Sequence, residues 1–135
     1  MIPILRTVDA LRATLLAAPS LAYSRAGASG IFFAGLIGRL GIAAEIEAKA
    51  TVIPQGFTAA LAASGEVALA VQQVSELLAV DGVDIVGRLP EGANVGAVFS
   101  AGVFAAARPG SEAALNRLLA AMGPAALQSA GLEPL

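Results

Sequence analysis

SLAYS, RAGASG and IFFAGLIGRLGI, consecutive over residues 20–42, decide how the chain is read. The first piece is a short apolar run containing Tyr23. The second is a turn holding Gly27 and Gly30, and the third sets Ile31, Phe32, Leu36, Ile37 and Leu40 at helical spacing. The expectation is strand, tight loop, helix. Such a unit points unpaired backbone N–H groups and the positive end of a helix dipole at whatever lies before the loop, and an anion is the natural guest. Ser24 and Ser29 add hydroxyl donors, and Arg25 adds a planar fork able to grip a carboxylate or another oxyanion in two places. The same residues also fit a plainer account, a Ser-capped helix after a Gly turn in an ordinary α/β connection.

The 135 residues suit one domain, long enough to bury roughly two thirds of the surface of its unfolded chain. Hydrophobic residues make up 57% and charged ones 13%, against about 25% charged in ordinary soluble domains. Mean hydropathy is +0.79, yet no uncharged run reaches the roughly 18 residues of a membrane span. A net charge of -2 without a basic patch argues against nucleic acid. With no Cys and no His there is no thiol nucleophile, disulfide, imidazole base or zinc site built on nitrogen and sulfur. Catalysis is left to carboxylates, Arg, Lys, Tyr or Ser, and no cofactor is expected. Residues 1–6 lack the basic start and long apolar core of a secretory signal, so the chain as written is expected in the cytoplasm.

Outward from the opening unit, Thr7 or Asp9 caps a helix that runs to about Ala17 and stops before Pro19. Gly41 closes the second helix, residues 45–49 are polar, and residues 50–54 form a β-branched strand. The turn Pro54-Gln55-Gly56 then feeds a helix over residues 57–64 that Gly65 terminates. Two helix N-termini thus follow two strands, as in open α/β sheets whose ligands sit beyond the strands' carboxyl ends. Residues 67–74 are expected as a third strand, with the pair Gln72 and Gln73 a face turned to solvent, satisfied buried amides or a ligand contact. A short helical piece begins at Ser75 and Glu76, and residues 83–87 read as a fourth strand. Residues 95–107 read as a long strand almost without charge, whose glycines suit close packing. Ser111 is expected to cap a helix to about Met122, with a last short helix over residues 124–130.

In order along the chain, TVDALRATLLAAPSLAYS, ASGIFFAGLIGRLGI, PQGFTAALAASGEVALAVQQVSEL, VDIVGRLP and SAGLEPL resemble the second half of type 2 periplasmic binding proteins of the molybdate-binding-protein family. In that family two α/β lobes close on a small anion. The resemblance implies a second lobe over residues 1–90, a three-layer α/β unit with a mostly parallel sheet flanked by helices. A return strand and C-terminal helices over residues 91–135 would pack on the lobe or be exchanged with a partner chain. Anion contacts carried over by position fall at Ser29, Gly30, Phe57 and Gln73. Molybdate binders are expected to present a tyrosine hydroxyl where this chain has Gln73, and with Arg25 beside the loop an organic carboxylate suits the site as well as a tetrahedral oxyanion.

Three functional readings follow. The first is the anion-binding lobe of an ABC-transporter-type solute-binding protein, with Ser24, Arg25, Ser29, Gly30, Phe57 and Gln73 as ligand-binding residues. Its partners would be a small anionic ligand and, in the full-length family, a first lobe or an ABC permease, and the resemblance places it in the periplasm. The second is an isomerase acting on a tricarboxylate such as aconitate, whose base would be Glu76, Tyr23 or Lys49. The third is a truncated remnant without tight ligand binding. The apolar run over residues 92–107 adds an expected homodimer or higher homo-oligomer, because in water it would leave large side chains uncovered.

Overall fold

A computed structural model of the chain describes residues 5–134. Ten elements follow one another: α1 (Val8–Ala17), β1 (Leu21–Ser24), α2 (Ala28–Arg39), α3 (Ala43–Glu47), β2 (Ala50–Ile53), α4 (Thr58–Ala63), β3 (Leu69–Ala70), α5 (Val74–Leu77), α6 (Ser111–Ala121) and α7 (Pro124–Ser129). They divide into two compact units, Met1–Asn94 and Val95–Leu135.

The first unit is an α/β fold in which three parallel strands, in the order β2-β1-β3, are flanked by helices. Thr7 starts α1 as its N-cap, its hydroxyl accepting from the Ala10 N–H at 3.1 Å. The other end of α1 is closed from a distance. The Lys49 ammonium, just before β2, donates to the carbonyls of Leu15 (2.8 Å), Leu16 (2.7 Å) and Ala18 (2.5 Å). A cation on those orphan carbonyls satisfies both the acceptors and the negative end of the dipole. Gly41 follows α2 with φ +66, the left-handed turn a helix stop requires.

The strand order positions the site. From β1 the chain passes through α2 and α3 to β2 on one side, then returns through α4 to β3 on the other side of β1. Right-handed crossovers in opposite directions place α2 and α4 on opposite faces of the sheet. Leu21 and Tyr23 of β1 join Leu11, Leu15, Phe33, Leu36, Ile37, Ile42, Ile46 and Ala93 in one buried cluster. Tyr23 meets Phe33 with ring centroids 5.2 Å apart and planes tilted by 59°, a favourable aromatic arrangement. In α2 the buried stripe is Phe33, Leu36 and Ile37, whereas Ile31 is exposed and Phe32 half-buried. Spacing predicts a helix there, but its phase is fixed only when the sheet decides which face it covers.

Three expected strands come out differently. The third is only Leu69–Ala70. Before it, the Val67 N–H turns back to the Leu61 carbonyl at the end of α4 and the Ala68 N–H donates to Ser20 Oγ. After it, the Val71 N–H still reaches the Ala22 carbonyl at 2.9 Å, and the Gln72 side chain then leaves the ladder for the β2–α4 turn. Residues 83–87 and 95–107 form no strand at all. Apolar β-branched composition makes a strand only where a neighbour supplies the ladder, and among the described residues no neighbour pairs with either segment.

The second unit holds α6 and α7, and Phe104 (87% exposed), Val98, Phe99 and Leu118 stand out from it into solvent. Ser111 is the first helical residue of α6 and not its cap. Its hydroxyl donates to the Arg108 carbonyl at 2.8 Å, and Gly110, at φ +89, precedes the helix. Among the described residues no helix is long and apolar enough to cross a membrane.

Candidate anion site at the carboxyl ends of β1 and β2

β1 and β2 are parallel neighbours paired Leu21↔Ala50 through Ser24↔Ile53, so the turns that follow them leave the same end of the sheet. The Arg25 N–H, donating to the Ile53 carbonyl at 2.8 Å, ties the turns together one residue beyond the ladder. Because the helices they feed lie on opposite faces, the crevice between them is a topological switch point, the usual ligand position in such sheets.

The first turn is built by close approach. Gly27 is the N-cap of α2, with no side chain to cap it, and its carbonyl accepts from the N–H groups of Gly30 and Ile31, both at 3.0 Å. Ala28 and Ser29, the first two helical residues, come before any intrahelical acceptor, so their N–H groups remain orphan donors at the positive end of a 12-residue helix. Beneath them lies Ser24, 4% exposed, whose hydroxyl is buried without a hydrogen-bond partner among the described residues. A β-carbon on Gly27 would stand 2.7 Å from that hydroxyl oxygen, and one on Gly30 would stand 1.7 Å from the Ser24 carbonyl oxygen. The glycines let the helix end sit directly on the end of the strand. Gly30 therefore acts through its missing side chain, its N–H being engaged by Gly27, while Ser29 is half-buried in the turn and Arg25 is exposed beside it. Two orphan N–H groups, an unpartnered hydroxyl and a guanidinium are the chemistry of an oxyanion or carboxylate cradle.

The second turn is furnished from within the chain. Phe57 is the N-cap of α4, and the residue is 46% exposed. Thr58, fully buried, donates through its N–H (2.9 Å) and its hydroxyl (3.0 Å) to Gln72 Oε1, and Gln72 Nε2 donates to the Gly56 carbonyl at 3.1 Å. Of the glutamine pair, Gln72 is thus the satisfied amide. Gln73 is the half-buried N-cap of α5, and its N–H donates to Glu76 Oε2 at 3.3 Å.

All six sequence-predicted ligand residues fall in the first unit. Ser24, Arg25, Ser29 and Gly30 gather at the α2 turn, Phe57 begins α4 across the crevice, and Gln73 begins α5 just past β3. The three candidate bases have structural employment: Lys49 closes α1, Tyr23 is in the core and Glu76 caps α5. Thr58 and the specific role of Gln72 escape sequence reasoning. The available signal is a Gln at the end of a strand fourteen residues after a helix-opening Thr, and it is too common to stand alone. Among the described residues no three His, Cys, Asp or Glu side chains cluster as a metal site.

A family model described as bacterial extracellular solute-binding protein matches residues 4–133. An aconitate isomerase from Pseudomonas sp is 36% identical over 135 residues, covering 98% of this chain and 51% of that protein. The chain therefore spans about half the length of that curated relative. No solved structure matches the chain.

Proposed function

The chain belongs to the bacterial extracellular solute-binding proteins, and from that premise we propose that its first unit is a lobe that holds a small anion at the N-terminus of α2. The ligand class is an oxyanion or an organic carboxylate, as in molybdate-binding-like receptors of ABC transporters, with a periplasmic setting. The observation that carries the reading is the Ser24 hydroxyl, buried without a partner among the described residues, beneath two orphan N–H groups. A buried polar atom left unpaired costs about 1–3 kcal/mol, and at a helix N-terminus a bound anion is a partner whose arrival would offset that cost. Arg25 supplies charge balance at the rim, and Phe57 offers an apolar surface to an organic body across the crevice. Citrate, trans-aconitate, sulfate and molybdate, titrated in turn by calorimetry, test the reading. Heat from at least one of them that is lost in Arg25→Ala supports it. No heat from any of the four refutes it.

A second reading, isomerisation of a tricarboxylate, is favoured by the 36% identity to a protein named aconitate isomerase. It needs a base beyond the three residues already given structural roles. A change in ultraviolet absorbance when the protein meets cis-aconitate separates catalysis from binding.

The exposed apolar side chains of the second unit support a further element of the proposal, association of the chain with a second copy. Among the described residues the segment over residues 95–104 has no ladder partner, and a second copy of it is able to pair with it about a two-fold axis.

A further inference from the structure

The β2–α4 turn looks in sequence like a second anion cradle, but the chain fills it. Gln72 Oε1 accepts two hydrogen bonds from Thr58, one from the N–H and one from the hydroxyl, as a ligand oxygen would. Its Nε2 returns a bond to Gly56. Thr58 is fully buried, and its hydroxyl also lies 3.4 Å from the Val71 carbonyl. We infer that Gln72 is a positioning residue: a resident side-chain amide that occupies the α4 end, leaves anion recognition to the α2 turn, and fixes Phe57 at the rim of the crevice.

Position in the ladder explains the choice of residue. Val71 makes the last backbone bond to β1, so Gln72 is the first side chain free to swing across to the turn. A carboxylate at the same place would satisfy Thr58 but would face the Gly56 carbonyl without a donor and would repel an anion at the neighbouring turn. An amide supplies acceptor and donor together and carries no charge. With the Thr58 N–H and hydroxyl engaged, the wall opposite α2 presents fewer free donors and an exposed Phe57, which favours a carboxylate with an organic body over an inorganic oxyanion. This last consequence rests on the anion site proposed above; the occupancy of the α4 end by Gln72 does not.

Gln72→Ala deletes the atoms of acetamide, so acetamide is the probe. Added to the full chain, it raises the unfolding midpoint of the variant by about 4 °C more than that of wild type at a few times its dissociation constant. It also returns the Phe57 and Thr58 amide resonances toward their wild-type positions. An equal acetamide response in both proteins overturns the inference. If the variant does not fold, wild type decides: the Thr58 N–H exchanges slowly, in company with the sheet amides, and exchange at an open-loop rate overturns it. For selectivity, the ratio of citrate to sulfate affinity falls about tenfold in Gln72→Ala and is restored by acetamide. A proportional loss of both affinities gives Gln72 a merely structural role and overturns the positioning claim. Failure of the α2 site itself is recognised separately, by wild type binding neither anion while the acetamide and exchange results stand.

Discussion

Gly30 and Ser24 are in contact so close that a β-carbon on Gly30 would lie 1.7 Å from the Ser24 carbonyl oxygen. That single approach seats the first turn of α2 on the end of β1 and sets the geometry of the candidate site. Gly30→Ala is therefore expected to cost at least about 3 kcal/mol, because the atom in the way belongs to the backbone and cannot rotate aside. Gly27→Ala is different. Its β-carbon would meet the Ser24 hydroxyl at 2.7 Å, but the next atom, Ser24 Cβ, is at 3.6 Å. The expected cost is about 1–2 kcal/mol, largely recovered in the double variant with Ser24→Ala, whereas in Gly30→Ala the same change removes only a 2.6 Å contact with the hydroxyl and leaves the clash with the Ser24 backbone in place. Urea unfolding of the four proteins checks the contrast, and equal rescue of both glycine variants would show that the contact is misplaced.

Lys49 is expected to matter for stability far more than a lysine usually does. Its ammonium holds three carbonyls at the end of α1 and ties that helix to the start of β2. Lys49→Met keeps most of the stem and leaves those carbonyls without their partner, at an expected cost of about 2 kcal/mol. Denaturant midpoints measure it. A loss below about 0.5 kcal/mol would mean that water replaces the ammonium freely.

How much of this was legible in the sequence depends on whether the cause is local. The strand, turn and helix over residues 20–42 could be read because apolar spacing and two glycines mark them directly, and the helix ends at Thr7, Gly41 and Gly65 carry ordinary stop and start chemistry. The phase of α2 was not legible, since Ile31, Phe32 and Phe33 are equally apolar and only packing against Leu21 and Tyr23 selects Phe33. Residues 83–87 and 95–107 have strand composition, but a ladder is a property of two segments, and among the described residues none pairs with either of them. At the site, the α2 turn was visible as glycines and hydroxyls. The division of labour between Gln72 and Gln73 was not, because it depends on where β3 leaves the ladder.

The second unit carries its own prediction. With Phe104 at 87% exposure and Val98 and Phe99 each at 67%, the chain is expected to self-associate at low micromolar concentration. Multi-angle light scattering on a sizing column should give at least twice the 13.3 kDa of one chain. Phe99→Lys should shift the population toward the smaller species. A clean 13.3 kDa species for wild type rejects the association.

The central claim, that the α2 turn over Ser24 holds an anion, is tested most directly by following backbone amide resonances as citrate is added. The account predicts saturable shifts that are largest at Ala28 and Ser29, the two orphan donors. In Ser24→Ala those shifts should require about tenfold more citrate, although the variant folds at least as stably as wild type because a buried unpaired hydroxyl has been removed. Shifts that spare Ala28 and Ser29, or a Ser24→Ala variant that binds citrate as wild type does, would contradict it.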